Sequence, residues 1–138
     1  MAAGVTTYAI GLGCDRGASL ATVREAVLAA LAQAGARPDD VVAAASIVIK
    51  RDEAALLALA ESYGWPIAFY EPEALAQVAV PNPSETVRKY TGTPSVSEAA
   101  ALLAAGPDAD MTALVVEKHK HRGADGRNAT VSIARIAP

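Results

Sequence analysis

The hydrophobic pattern of this chain switches repeatedly between the period of a strand and that of a helix, and such alternation confines it to layered α/β folds. Thr7 to Leu12 reads as a short buried strand, broken by Gly11-Leu-Gly-Cys-Asp-Arg-Gly17. Ser19 can cap a helix with Leu20, Val23, Val27, Leu31 and Ala34 on one face, stopped by Gly35. Val41 to Ile49 is a second strand, ending in Lys50-Arg-Asp-Glu53. Asp52 then caps a helix through Leu56, Leu59 and Tyr63 that closes at Gly64. Trp65 and Tyr63 read as packing around that turn. Pro66 to Tyr70 is a third strand, and Pro72 opens a short helix. A loop at Val80-Pro-Asn-Pro-Ser84 leads into a helical piece ended by Gly92. Ser95-Val-Ser-Glu98 has the capping-box pattern, with Glu98 as the partner of Ser95, and opens an alanine-rich helix stopped by Gly106-Pro107. Thr112 to Val116 and Ala129 to Ile136 are the last strands, separated by a polar loop from Glu117 to Asn128.

Three strands alternating with helices predict parallel pairing; two joined without a helix predict a closing hairpin. The expected fold is therefore a three-layer α/β/α domain over residues 1–138. Its mixed sheet has about five strands, mostly parallel, with the last one antiparallel. Neither a repeat nor a linker divides the chain.

Composition narrows the function classes. Alanine supplies 33 residues and the aromatics only six, which suits closely packed helices but not the stacking platforms of single-strand nucleic-acid readers. A net charge of −3 gives no overall attraction to nucleic acid or anionic membranes, and no apolar run approaches the ~18 residues of a span. Met1-Ala-Ala-Gly-Val5 lacks a secretory signal pattern, and the lone Cys14 fits a reducing compartment, so a cytoplasmic protein is expected.

Ligands of open α/β sheets sit beyond the carboxyl ends of the strands. Those ends carry Cys14-Asp-Arg16, Lys50-Arg51 and Lys118-His-Lys-His-Arg122. Residues 118–127 alone hold four basic residues and one acidic one, a local basic rim on an acidic chain that suits a small polyanion. Gly11, Gly13 and Gly17 form a turn that could bring backbone N–H groups to an anion, or could simply be a tight strand-to-helix connection. The spacing is one residue longer than a dinucleotide fingerprint, and no Lys-Ser/Thr follows Gly17. Cys14 has no evident base to make it a nucleophile. His119 and His121 lack a further ligand for a metal and read as part of a solvated basic loop. No metal and no cofactor is implied.

The Gly-Leu-Gly-Cys-Asp-Arg-Gly segment at 11–17 resembles the glycine-cysteine signature of the CobE/CbiG C-terminal domain family of cobalamin biosynthesis. Ser46-Ile-Val-Ile-Lys50-Arg-Asp-Glu53 with Leu56-x-x-Leu-Ala60, Pro94-Ser-Val-Ser-Glu-Ala-Ala-Ala-Leu102, and Lys118 followed by Ala129-Thr-Val-Ser-Ile-Ala134 are similar to further blocks of that family, in its order. Asp15 departs from the pattern, where the family more often has a basic residue, and so does the His-rich 119–121 stretch. The resemblance implies a role in building the corrin ring. Two-domain relatives are cobalt-precorrin-5A hydrolases, which open a ring lactone and release acetaldehyde. The length here matches their C-terminal domain, as in the stand-alone CobE-like form.

On that resemblance the expected ligand is a precorrin, a flat macrocycle edged with carboxylates. Gly11, Gly13, Cys14, Arg16, Lys50, Lys118 and Lys120 are the expected binding residues, with the four cations pairing to carboxylates. Asp52, Glu53 and Glu98 are the acids in matching segments, and none is singled out as a base for hydrolysis. Two other readings stay open. One is a nucleotide-binding regulatory module built on the Gly11–Gly17 turn; the other is a non-catalytic carrier or partner of a corrin-pathway methyltransferase.

Overall fold

The computed structural model describes residues 6–92 and 95–137. Met1–Val5, read above for a leader signal, and Pro94 of the resemblance segment lie outside them. Five strands, β1 (Thr7–Cys14), β2 (Val41–Ile47), β3 (Ile67–Tyr70), β4 (Leu114–Arg122) and β5 (Asn128–Ile136), form one sheet in the order β3-β2-β1-β5-β4. β1, β2 and β3 pair in parallel, while β5 is antiparallel to both β1 and β4. Four strands thus point one way and the last runs against them, as the hairpin reading requires.

Helices α1 (Leu20–Ala34) and α2 (Ala54–Tyr63) cover one face, and α5 (Val96–Ala105) covers the other, with the short α3 (Pro72–Ala76) and α4 (Glu85–Thr91) preceding it in the chain. Ser19 caps α1 by accepting from the Thr22 N–H, and Gly35 ends it in the left-handed region at φ 67°. The apolar stripes meet Ile10, Leu12, Val131 and Ile133 from β1 and β5, with Val23, Val27, Leu31, Leu56 and Leu59 opposite. Tyr63 and Trp65 stack at 4.8 Å, and the indole N–H donates to the Pro38 carbonyl.

The opposite face explains the alanine content. Ala99, Ala100 and Ala101 of α5 are fully buried, and the helix lies so close to β1 that a Cβ on Gly11 would sit 1.9 Å from the Ser97 carbonyl oxygen. Only small side chains permit that approach.

Four local expectations are corrected. β2 ends at Ile47 and gives way to a 3-10 turn at Val48–Lys50. The segment 117–122 continues β4, so only residues 123–127 connect the hairpin. Asp52 does not cap α2; Glu53 holds the N-cap position, and Asp52 bonds to Arg16 instead. The capping box at Ser95 does not close. Its hydroxyl is buried without a partner, and Glu98 turns to Asn82 in the loop before α4.

Candidate functional site

Because β4 is a strand, its side chains alternate between the sheet's faces. His119 and His121 lie on the α1 side, where His119 Nδ1 is 2.8 Å from Gln33 Nε2 and His121 Nε2 is 2.9 Å from Glu25 Oε1. They fasten β4 to α1 rather than forming a solvated basic loop. Lys118 and Lys120 lie on the α5 side.

There they border a cleft of 390 Å³ with Ser97 at the head of α5, Thr130 and Asn128 of β5, and Ser84 and Val87 at the start of α4. Gly13 pairs with Thr130 in the sheet, and a Cβ on it would meet only the Thr130 Cβ, at 4.0 Å. The floor beside Thr130 is therefore open at Gly13. Lys118 is half-buried and donates to the Asn82 carbonyl at 3.2 Å. Burial lowers its pKa, with Lys120 acting in the same direction, while the nearby Glu98 carboxylate opposes the fall. Lys120 is exposed to solvent. The site thus joins one partly desolvated ammonium, one free ammonium, hydroxyls, and the amino end of a ten-residue helix. Groups of these kinds pair with carboxylates in general.

The other expected residues lie elsewhere. Gly11 is occupied by α5, as its missing Cβ shows. Arg16 spans the two loops at the carboxyl edge, reaching Asp52 Oδ1 at 2.9 Å, the Ile49 carbonyl at 2.7 Å and Glu53 Oε1 at 3.0 Å. Glu53 is buried and accepts from the Gly17 N–H as well. Lys50 is half-exposed beside Cys14, whose thiol it pulls down in pKa. Burial outweighs that pull and pushes the thiol up to about 11, against a nucleophilic role. Asp15, the departure from the family pattern, accepts from the backbone and side-chain N–H groups of Asn128 and so ties β1 to β5.

The amino end of α1, the natural phosphate seat of a glycine-loop site, already holds an anion. Asp125 from the β4–β5 turn accepts from the Ser19 N–H at 2.9 Å and from the Thr22 hydroxyl at 2.8 Å. These bonds and one from the Arg127 N–H hold its carboxyl near 2. A nucleotide phosphate would have to displace it.

A larger cavity of 490 Å³ lies around the end of α5 and the start of β4, at the amino edge of the parallel strands. Its lining includes Asp108 and Asp110 but a single arginine, Arg135, a balance that disfavours a polyanion. Among the described residues no three His, Cys, Asp or Glu side chains are grouped to hold a metal, and no helix is long and apolar enough to cross a membrane.

The residue pattern marked Lys118 and Lys120 but missed Ser84, Ser97, Asn128 and Thr130. Thr130 could be found from the strand period, since it shares a face with Ser132 in a segment of alternating residues. Ser84 and Asn128 carry no such signal.

Residues 8–134 match the family described as cobalamin synthesis G C-terminus. The chain is 40% identical over 128 residues to a cobalt-precorrin-5A hydrolase of Priestia megaterium, covering 93% of this chain and 32% of that protein. It therefore spans about a third of that relative. It is 40% identical over 111 residues to Protein CobE of a Sinorhizobium species, covering 79% of this chain and 70% of the relative. The fold superposes on the crystal structure of CobE, a protein from the cobalamin biosynthetic pathway, with a TM-score of 0.77 at 32% identity, covering 96% of this chain and 92% of that one.

Proposed function

This chain belongs to the cobalamin synthesis G C-terminal family, and from that premise we propose that it binds a polycarboxylate precorrin at the cleft between β4, β5 and the head of α5. The observation that carries the reading is the pairing of Lys118 and Lys120 on one strand face, beside the open floor at Gly13. A 390 Å³ cleft is at the small end of ligand pockets, about 300–1,000 Å³, so it takes an edge of a macrocycle and leaves the rest outside. One carboxylate meets Lys118 and a neighbour meets Lys120. An exposed pair contributes about 0.2–1 kcal/mol, so affinity depends on both cations together.

Binding and handing over the intermediate is better supported than turnover. Lactone hydrolysis needs a base to activate water. Asp52 and Glu53 are engaged by Arg16, and both oxygens of Glu98 are engaged by Asn82. The hydrolase relative supports a second reading, in which the chain takes part in lactone opening; the match covers 32% of that protein.

The test is a titration of the purified chain with hydrogenobyrinic acid, followed by the absorbance of the ring. A saturable spectral change supports the reading, and none at high micromolar protein refutes it. Thermal stabilisation by NADP but not by the corrinoid would favour the nucleotide reading instead. Release of acetaldehyde from a precorrin lactone by this chain alone would establish turnover.

A further inference from the structure

Glu98 is fully buried, yet its carboxylate serves a residue outside its own helix. One oxygen accepts from the Asn82 backbone N–H at 3.3 Å and the other from Asn82 Nδ2 at 2.6 Å. Asn82 in turn offers its carbonyl to Lys118 Nζ at 3.2 Å, and its Nδ2 also lies 3.0 Å from Glu117 Oε1. Asn82 is thus the link between a buried anion and a half-buried cation.

The next residues build a wall of the cleft. Ser84 borders it and caps α4 by accepting from the Val87 N–H, while Asn82, Pro83 and Ser84 line an adjoining hollow that shares Lys118 and Lys120. α4 buries none of its residues. Its packing therefore contributes little to where the wall stands; Val80 holds one end against the Ala45, Leu75 and Ala99 cluster, and Asn82 anchors the part that faces Lys118.

We propose that Glu98 is a positioning residue of the cleft: through Asn82 it seats the wall and the carbonyl that holds Lys118 Nζ in place for a carboxylate ligand. This rests on the reading of the cleft as the ligand site. The charged groups near Lys118 are Glu98 from α5 and Lys120 and Glu117 from β4. The β5 residues in the cleft, Asn128 and Thr130, do not titrate in the working range, nor does any residue from Val80 to Ser84. Burial and Lys120 both favour the neutral amine, so Glu98 is the buried charge that opposes them.

The full chain with 13C-methylated lysines, assigned by Lys→Arg exchange and titrated by NMR, reads the charge directly. Amide hydrogen exchange at Val80, Asn82 and Ser84, the non-proline residues of the segment, reads the wall. Glu98→Gln should shift the Lys118 titration to lower pH and speed exchange of the Asn82 amide about tenfold, the loss of one hydrogen bond to a charged group. Asn82→Ala, on an exposed loop, should speed exchange across the wall without moving the Lys118 titration downward. A folded Glu98→Gln variant with both readouts unchanged overturns the proposal. Should that variant fail to fold, unchanged wall exchange in Asn82→Ala overturns it. Failure of the wild-type chain to bind a corrinoid would refute the ligand reading while leaving these two readouts intact.

Discussion

Gly11 and Gly13 lie two residues apart on one face of β1, and the fold assigns them opposite consequences when each is replaced by alanine. At Gly11 the new methyl would lie 1.9 Å from the Ser97 carbonyl oxygen and 2.7 Å from the Ala101 nitrogen. A close C···O contact is about 3.3 Å, so α5 would have to withdraw by about 1.4 Å, and both obstructing atoms are backbone. Withdrawal by that distance forfeits about half or more of the dispersion contacts along the buried Ala99–Leu102 face. Overpacking typically costs about 1–3 kcal/mol, and a backbone obstacle puts Gly11→Ala at about 3 kcal/mol. For a chain of this length that lowers Tm by roughly 10–15 °C. At Gly13 the methyl meets only Thr130, in ordinary contact at 4.0 Å. Gly13→Ala should hold stability within about 1 kcal/mol, while narrowing the cleft floor and weakening corrinoid binding. Urea and thermal melts followed by circular dichroism, paired with the absorbance titration, separate the two. A Gly11→Ala protein with an unchanged urea midpoint and impaired binding would refute the reasoning, because Gly11 would then face a ligand and not α5.

Arg16→Ala should lower Tm, since it leaves the buried Glu53 without its cation, yet change corrinoid affinity by less than about twofold, measured by the same titration. The depressed carboxyl of Asp125 gives a pH signature. Its folded value near 2 lies below the ordinary 3.8, so its contribution is complete above about 4 and is lost as pH falls towards 2. Asp125→Asn should flatten the fall in stability across that window, read from urea midpoints at each pH; an unaltered slope would contradict the cap at α1. Cys14, with its thiol near 11, should be about one part in a thousand thiolate at pH 8. It should therefore react slowly with iodoacetamide until the chain is unfolded, and Cys14→Ser should retain binding.

The layered architecture was legible because buried strands and amphipathic helices leave different periods, and Ser19, Gly35 and Gly64 marked helix ends plainly. β4 was half hidden. It is an edge strand whose residues from Glu117 onward alternate lysines with histidines, so neither face reads as apolar, and its register is irregular between Leu114 and His119. The basic residues were legible as charges but not as partners. Arg16 and Lys118 look alike in sequence, yet one is held by Asp52 and Glu53 and the other borders a cleft, which depends on contacts 36 residues away in both cases. The Ser95–Glu98 spacing misled for the same reason. A local cap competes with a distant partner, and Asn82 takes the carboxylate.

Lys118 and Lys120 are proposed together to receive the carboxylates of a corrin precursor. The decisive experiment titrates hydrogenobyrinic acid into the wild-type chain and into the Lys118→Ala/Lys120→Ala double variant across a range of salt concentrations. Wild-type affinity should weaken as salt rises, and the double variant should bind roughly two- to thirtyfold more weakly with a flatter salt dependence. Equal affinity and equal salt dependence in the two proteins would contradict the proposal.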